Sequence, residues 1–578
     1  MKKPTRRRWW MILSLVALSG LPSEVWAQTG RTSRIRFEEI GEKAGVRQLH
    51  HAKSFTEISD VLRTFTPGGA SAAIGDYNND GREDLFVTNS DEGWPNRLFR
   101  NDGNLSFTEV TDTAGVAAGN EPGLLVTDSL WFDYDNNGWI DLLVVRFGTP
   151  LLYRNQGDGH FEDVTISSGL NKFTNAIAVI AFDYDRDGYL DLLIGNYFGD
   201  VNLYKLETSK VLPDDYDVAT NGGGVTMWHN TGKGSFTDVT ESAGFAHLDG
   251  WTLDVGHGDL NNNGLQDIYL AVDFGTDRVF YNNGDGTFRD ATETAIGFDT
   301  RSGMNAELAD YDNDGLLDVY VTNITGDGLR EFNMLWHNNG DETFTDFAQE
   351  TGTSDTLWGW GAKFADFNND GWLDLYVVNG LRSGSVNNYR DVMSEMSDSP
   401  DQDRGDIYSW PRIEKMTWSG FQKTQLYQSL GLHLFREVAA DAGVDNDLDG
   451  RGVLIADFDE NGLLDVFQTN HDQHSLLYVN RSESSGNWVE LQLIGTRSNR
   501  DAIGTRVTLQ AGDLKLIREV VGGNGFTGQS SRRLHFGLGS VEKLEELEIR
   551  WPTGEVERVR VPLNQLSSIQ EGSGRIQP

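Results

Sequence analysis

The sequence predicts an all-β fold: a seven-bladed β-propeller followed by a small C-terminal β domain. Three observations carry this. An acidic loop phrase with fixed spacing occurs seven times. A second phrase, Phe107-Thr108-Glu109-Val110-Thr111 followed by Ala114-Gly115-Val116, alternates with it and returns at Phe161, Phe236, Phe288, Phe344 and Phe435. Composition favours short strands and turns over long helices, since 578 residues include 66 Gly and only 8 Met.

In chain order, the amino terminus reads as a secretion signal over residues 1–27. Lys2, Lys3, Arg6, Arg7 and Arg8 form a charged region, Trp9 to Leu21 an apolar segment, and Val25-Trp26-Ala27 a small-residue cleavage site. The apolar run is short for a membrane span, and no later segment supplies one. The mature chain is expected to be secreted, periplasmic or at the cell surface. With no cysteine, disulfides, thiolate metal sites and a cysteine nucleophile are excluded. A formal net charge of −40 argues against nucleic acid and anionic membranes as partners.

Residues 28–480 form the expected propeller. The acidic loops begin at Asp76, Asp133, Asp183, Asp259, Asp310, Asp366 and Asp457. Position 3 holds Asn78, Asp135, Asp185, Asn261, Asp312, Asn368 and Asp459, and position 5 holds Asp80, Asn137, Asp187, Asn263, Asp314, Asp370 and Asn461. Glycine always follows at position 6, and position 9 is always Asp: Asp84, Asp141, Asp191, Asp267, Asp318, Asp374 and Asp465. Hard cations such as calcium take six to eight oxygen ligands, and glycine lets the backbone turn sharply enough to converge them. An EF-hand needs a bidentate Glu at position 12. Here that position holds Val87, Val144, Ile194, Leu270, Val321, Val377 and Gln468. An apolar run such as Leu375-Tyr376-Val377 suits a buried strand, so each loop is read as joining two strands.

A short strand ending near Asn, as in Leu152-Tyr153-Arg154-Asn155, and a Gly-rich turn, as in Gly157-Asp158-Gly159, precede the Phe phrase and signal a hairpin. Each unit is thus about four strands, a propeller period. The first strand phrase, Phe37 to Ile40, lacks a hairpin partner, and the last unit ends at Leu476 to Asn480 without a Phe strand. The two are expected to pair and close the ring, removing two exposed edges. Insertions at 205–226 and 380–425 break the rhythm, the second carrying Tyr389, Tyr408, Trp410, Trp418, Phe421 and the tripeptide Arg404-Gly405-Asp406. Long loops on a rigid scaffold often carry binding. A single such tripeptide in an acidic loop assigns no adhesion role.

Residues 481–578 read as a separate β domain, with strands at Trp488 to Leu493, Arg506 to Leu509, Lys515 to Val521, Arg533 to Phe536 and Leu547 to Trp551. Gly523-Asn524-Gly525-Phe526-Thr527-Gly528 matches a dinucleotide-binding spacing, but the strand-like residues after it deny the helix such a site needs. His229 and His337 share a strand slot with Arg100, Arg154, Asn282 and Gln428, which reads as surface-strand chemistry rather than metal chemistry. His471 and His474 lie close enough in sequence for a transition-metal pair. No catalytic residue is assigned.

The alternating phrases resemble the FG-GAP or VCBS repeats of integrin-α-like propellers, and loops such as Asp183 to Asp191 look like the calcium loops of that family. Asn499 to Gly504, Gly528-Gln529-Ser530-Ser531, Phe536-Gly537-Leu538-Gly539 and Trp551-Pro552-Thr553-Gly554 resemble the ASPIC/UnbV domain. The combination is similar to bacterial relatives of the cartilage acidic protein family. The resemblance implies up to seven Ca2+ ions held by side chains 1, 3, 5 and 9. It adds the position-7 carbonyl of Arg82, Trp139, Tyr189, Leu265, Leu316, Trp372 and Leu463. The fourth loop, with Asn261 and Asn263, keeps only two carboxylates and is expected to bind most weakly. The implied function is a calcium-rigidified adhesion module that recognises a protein or carbohydrate. The alternatives are a propeller enzyme acting on extracellular polysaccharide, and an assembly component whose C-terminal domain docks a partner.

Overall fold

The computed structural model describes residues 34–53, 69–199, 213–215, 217–326, 330–385, 417–483 and 486–574. The expected secretion signal, Tyr389, Tyr408, Trp410 and Arg404-Gly405-Asp406 lie outside them. No helix among the described residues is long and apolar enough to cross a membrane.

Each acidic loop joins two antiparallel strands, as expected. In the first unit Ala72–Gly75, Asp84–Val87, Arg97–Asn101 and Phe107–Glu109 follow one another across the sheet, and the other units repeat this order. The innermost strands are Ala72–Gly75, Leu125–Phe132, Thr174–Phe182, Trp251–Gly258, Asn305–Ala309, Gly359–Ala365 and Gly450–Ala456. They touch in cyclic order, the seventh against the first, so the sheets stand as seven blades around one axis. The second and third blades are also hydrogen-bonded, Thr174 opposite Gly148 and Asn175 opposite Phe147. The apolar run after each loop is buried on both faces, as at Asp84–Val87 and Asp374–Asn379.

The ring closes as the sequence indicates. Phe37–Glu39 is the outer strand of the seventh blade, with Phe37 opposite Asn480 and Glu39 opposite Tyr478. The recurring Ala-Gly-Val phrase also has a structural cause. The outer strand leads into one helical turn, such as Thr111–Ala114, which Gly115 ends in the left-handed region at φ 80°. Glycine meets no Cβ penalty there.

The C-terminal module has two sheets of its own. One pairs Asn487–Ile494 with Leu534–Gly539 and Leu566–Gln570; the other orders Leu514–Glu519, Arg506–Ala511, Leu547–Arg550 and Val556–Val559. Trp551, Phe536, Leu491, Ile549 and Ile569 are buried in its core. The module is less separate than its sequence suggests. Gly528–Gln529 pairs in parallel with Ala72–Ala73 of the first blade. The stretch 522–531 enters the axis and bonds to the other six innermost strands as well. Ala181 N–H donates to Gly522 O at 2.7 Å, and Ile455 O accepts from Ser531 N–H at 3.0 Å. Gly522 N–H donates to His257 Nε2 at 2.9 Å, Phe526 N–H to Asn305 Oδ1 at 3.0 Å and Lys363 Nζ to Asn524 Oδ1 at 2.6 Å. The Gln529 amide accepts from Trp131 N–H at 2.7 Å and donates to Trp131 O at 2.9 Å.

Candidate metal centres beneath the C-terminal module

The seven loops share one hydrogen-bond scheme. The position-1 carboxylate takes the N–H groups of positions 5 and 6, one on each oxygen. In the fifth loop Asp314 N–H bonds Asp310 Oδ1 and Gly315 N–H bonds Asp310 Oδ2, both at 3.1 Å. The position-5 side chain takes the position-7 N–H, as Leu316 N–H does on Asp314 Oδ1 at 2.8 Å. The position-9 carboxylate receives the position-2 N–H on one oxygen and an N–H from the end of the third strand on the other. For Asp141 these come from Tyr134 at 3.2 Å and Asn155 at 2.7 Å. Position 4 is left-handed in every loop, from Asn79 at φ 55° to Asn313 at φ 62°, and Gly315 at position 6 lies at φ 92°.

These bonds use part of each carboxylate's capacity and aim the rest at a common point. Ligand atoms of Asp133, Asp135 and Asp141 lie within 4.8 Å of one another, as do those of Asp183, Asp185 and Asp187, and of Asp310, Asp312 and Asp314. Asp135 Oδ1 and Asp459 Oδ1, both at position 3, are buried with no hydrogen-bond partner among the described residues. Burial, reinforced by neighbouring carboxylates, pushes Asp84 up to about 8, Asp141 to about 9 and Asp310 to about 8. Asp374 and Asp465 lie well above the usual carboxylate range, burial again first. Carboxylates this buried and crowded are only partly offset by the protein's own positive charges. The oxygen set fits a hard divalent cation, which would supply the remainder.

Three further sets of residues hold the ring of loops. First, the Asn ending the third strand clamps adjacent blades. Asn155 Nδ2 donates to Ile140 O of its own loop at 3.0 Å and to Tyr77 O of the preceding loop at 2.8 Å, while Gly157 N–H bonds its Oδ1. Asn101, Asn230, Asn282, Asn338 and Asn480 do the same, and Ser429 replaces the Asn in the sixth blade. Second, the position-4 side chain donates to the glycine carbonyl of the following loop: Asn79 to Gly138, Asn136 to Gly188, Arg186 to Gly264, Asn262 to Gly315, Asn313 to Gly371 and Asn369 to Gly462. Third, the scheme fails at the seam, where the seventh loop has Glu460, an acceptor. There Arg533 Nη2 of the C-terminal module donates to Gly81 O at 2.6 Å.

The module covers all seven loops. Arg500 N–H bonds Asn136 Oδ1 at 2.9 Å, and Asp133 N–H bonds Asp501 Oδ2 at 2.7 Å. The Arg497 carbonyl lies over Gly188, Lys515 over Gly315 and Trp488 over Gly462. Gly539 N–H bonds Asn369 O at 2.8 Å. At the fourth loop Arg550 pairs with Asp259 Oδ2, and Arg506 Nη2 bonds Asp259 O at 2.7 Å. Arg550 thus already offsets one of this loop's two carboxylates.

The histidine slot needs correction. Its register places Tyr281, not Asn282, in the fourth blade. Nor is the slot indifferent surface: in the second, third and fifth blades the residue in it faces the loop acids. Arg154 Nε bonds Asp135 Oδ2 at 2.8 Å, His229 Nδ1 is 3.2 Å from Asp191 Oδ1, and His337 Nδ1 is 3.3 Å from both Asp312 Oδ2 and Asp318 Oδ1. His471 faces His50, with ring centroids 5.6 Å apart. The dinucleotide reading stays excluded, because strands rather than a helix follow Gly528.

Residues 76–128, 133–194, 259–321 and 323–377 match the FG-GAP-like repeat, and residues 495–576 match the ASPIC and UnbV family. The chain carries FG-GAP-like repeats closed by an ASPIC and UnbV domain. Human cartilage acidic protein 1 is 24% identical over 516 residues, covering 86% of this chain and 62% of that protein. The mouse protein is 24% identical over 506 residues, covering 86% and 63%. The chain thus spans less than two thirds of these relatives. A solved structure of an Agrocybe aegerita lectin that recognises non-reducing terminal N-acetylglucosamine covers 70% of this chain and 86% of its own, at 16% identity and a TM-score of 0.37.

The sequence did not disclose the roles of position 4, the strand-end Asn, Arg533 or Asp501. A signal existed for the first two, since Asn recurs at position 4 in five loops and ends the third strand in six blades. None existed for Arg533, whose partner Gly81 is 452 residues away.

Proposed function

We propose that this is an exported recognition module whose FG-GAP-like loops each bind a divalent cation, calcium above all. The bound ions rigidify the loop face and seat the ASPIC and UnbV domain on it. The carrying observation is the buried, partnerless carboxylate oxygen of Asp135, within the converging acids Asp133, Asp135 and Asp141, with a like oxygen on Asp459 of the seventh loop. The ions do no chemistry in this reading. The position 1, 3, 5 and 9 side chains hold them, and the loops so fixed present Gly81, Gly138 and their counterparts to the module.

Topology indicates the recognition face. The loops join the first and second strands of each blade, whereas both insertions join the second and third, at the opposite end. The loop end is covered by the module and the axis is occupied by 522–531, so among the described residues the opposite end is the accessible one. It carries a cavity of about 890 Å³ lined by His247, Asp249, Arg278, Asp290 and the exposed Phe298. The partner, protein or carbohydrate, is assigned to this end.

The test is a thermal melt with and without chelator, paired with glycan-array and protein-capture screens of the secreted chain. The expected result is a lower melting temperature on chelation, restored by calcium, and a bound partner released by Phe298→Ser at unchanged melting temperature. Equal melts with and without metal would overturn the calcium reading. Capture unaffected by Phe298→Ser would overturn the assigned face.

A further inference from the structure

The fifth loop differs from the others in having two imidazoles beside its acids. His337 Nδ1, at the end of the third strand, stands 3.3 Å from Asp312 Oδ2 and 3.3 Å from Asp318 Oδ1. This Nδ1 atom is buried beside the two carboxylates, in a side chain that is 17% exposed. His433, from the hairpin of the next blade, brings its Nδ1 to 3.4 Å from the same Asp312 oxygen and 2.8 Å from the Tyr311 hydroxyl. Phe347 stacks on the His337 ring at 4.8 Å and fixes its plane.

We propose that Asp312, Asp318, His337 and His433 form a transition-metal site, of the kind that takes zinc, within the fifth loop. Mixed imidazole and carboxylate donors suit zinc, whereas calcium takes oxygen alone. A tetrahedral ion with bonds of about 2.0 Å places its ligands about 3.3 Å apart, the spacing seen around His337. Asp318 is held by backbone N–H groups of Tyr311 and Asn338 at 3.3 and 2.8 Å, which orients it as outer-sphere bonds orient a ligand. The first and second blades offer no such site, because the equivalent slot holds Arg100 and Arg154, which cannot ligate. In the third loop His229 converges with Asp185 and Asp191 as His337 does with Asp312 and Asp318, and His433 is the imidazole that the fifth loop adds. The site shares Asp312 and Asp318 with the fifth calcium loop, so zinc and calcium compete for it. The other six loops are unaffected.

The test is elemental analysis of the full chain after dialysis against micromolar zinc with millimolar calcium, counting both metals in the same sample. The expected result is one zinc per chain, with affinity lowered about tenfold or more in the His337→Gln/His433→Gln variant and calcium elsewhere unchanged. Cobalt in the wild-type chain should give the strong visible absorption of a four-coordinate site. Zinc, but not calcium, should protect His433 from diethyl pyrocarbonate. Zinc retained by a folded variant would overturn the proposal. So would an unbound zinc count or an unprotected His433 in the wild type, whether or not the variant folds. The calcium count tests the calcium reading separately.

Discussion

Replacing Arg533 by Met tests whether the C-terminal module completes the propeller ring. The Arg533 side chain is 4% exposed and donates to Gly81 O. Its guanidinium lies 3.4 Å from Glu83 and 3.9 Å from Glu490, whose side chains are 8% and 3% exposed, and 3.9 Å from the exposed Glu460. Burial already pushes Glu490 up to about 8 despite that arginine. Removing one partner of a buried ion pair costs about 3–5 kcal/mol, since the other charge stays uncompensated. The unmet Gly81 carbonyl belongs to the same loss rather than adding to it in full. Glu460→Gln removes only an exposed partner and is expected to cost less than about 1 kcal/mol. Arg533→Lys keeps the charge but loses the planar fork, and should fall between. The assay is urea unfolding followed by tryptophan fluorescence, with Trp488 and Trp551 reporting on the module. If Arg533→Met unfolds within about 0.5 kcal/mol of the parent, or Glu460→Gln costs as much, the seam argument is wrong.

Three other outcomes are expected. Asp84, Asp141 and Asp310 are raised above their unfolded values, so in chelated protein their contribution is fully present below about pH 4 and lost as pH rises through 8 to 9. Chelated material should therefore melt lower at pH 8.5 than at pH 5, and the gain from calcium should widen over that range; a chelated melt independent of pH would count against it. In calcium titrations followed by elemental analysis, Asp310→Asn should remove one high-affinity ion. Asp259→Asn should remove none, and the opposite ranking would refute the weakness of the fourth loop. Asn155→Ala breaks three side-chain bonds spanning two blades and should cost about 2–3 kcal/mol by denaturant unfolding. Asn283→Ala, which loses an exposed bond to Thr287, should stay within about 0.5 kcal/mol.

Much of the propeller was legible because its determinants are local. The strand after each loop reads as an apolar run, the loop as spaced Asx residues with Gly, and the outer strand as a Phe phrase. Closure was legible from a missing partner at each end, confirmed by Phe37 opposite Asn480. Of the loop acids, the spacing marked those that come together, as Asp133, Asp135 and Asp141 do. What holds the loops to one another was not. The Asn79 to Gly138 bond joins different blades, and no window of sequence contains both ends. The same applies to His433, which reaches Asp312 from another blade.

The glycine-rich run in the C-terminal domain shows why the remainder was hidden. Gly523 to Gly528 has the spacing of a phosphate loop, and its glycines do serve close approach, but to protein rather than phosphate. A Cβ on Gly522 would lie 1.9 Å from Ala181 O, and one on Gly525 2.7 Å from Lys363 Nζ. The segment is glycine-rich because it threads an axis lined by seven innermost strands and must bond to each. The same geometry explains the arginines around it. Arg506, Arg533 and Arg550 meet the fourth and first loops directly, and Arg518 is buried with Asp310 and Asp366 as its charge partners. On a chain with a net charge of −40, these arginines place positive charge against loop acids. The ASPIC and UnbV domain thus does in part what the proposed cations would do. It neutralises the loop face and ties the blades together, and it does so most at the fourth loop, where the ligand set is poorest, and at the seam, where the position-4 donor is missing.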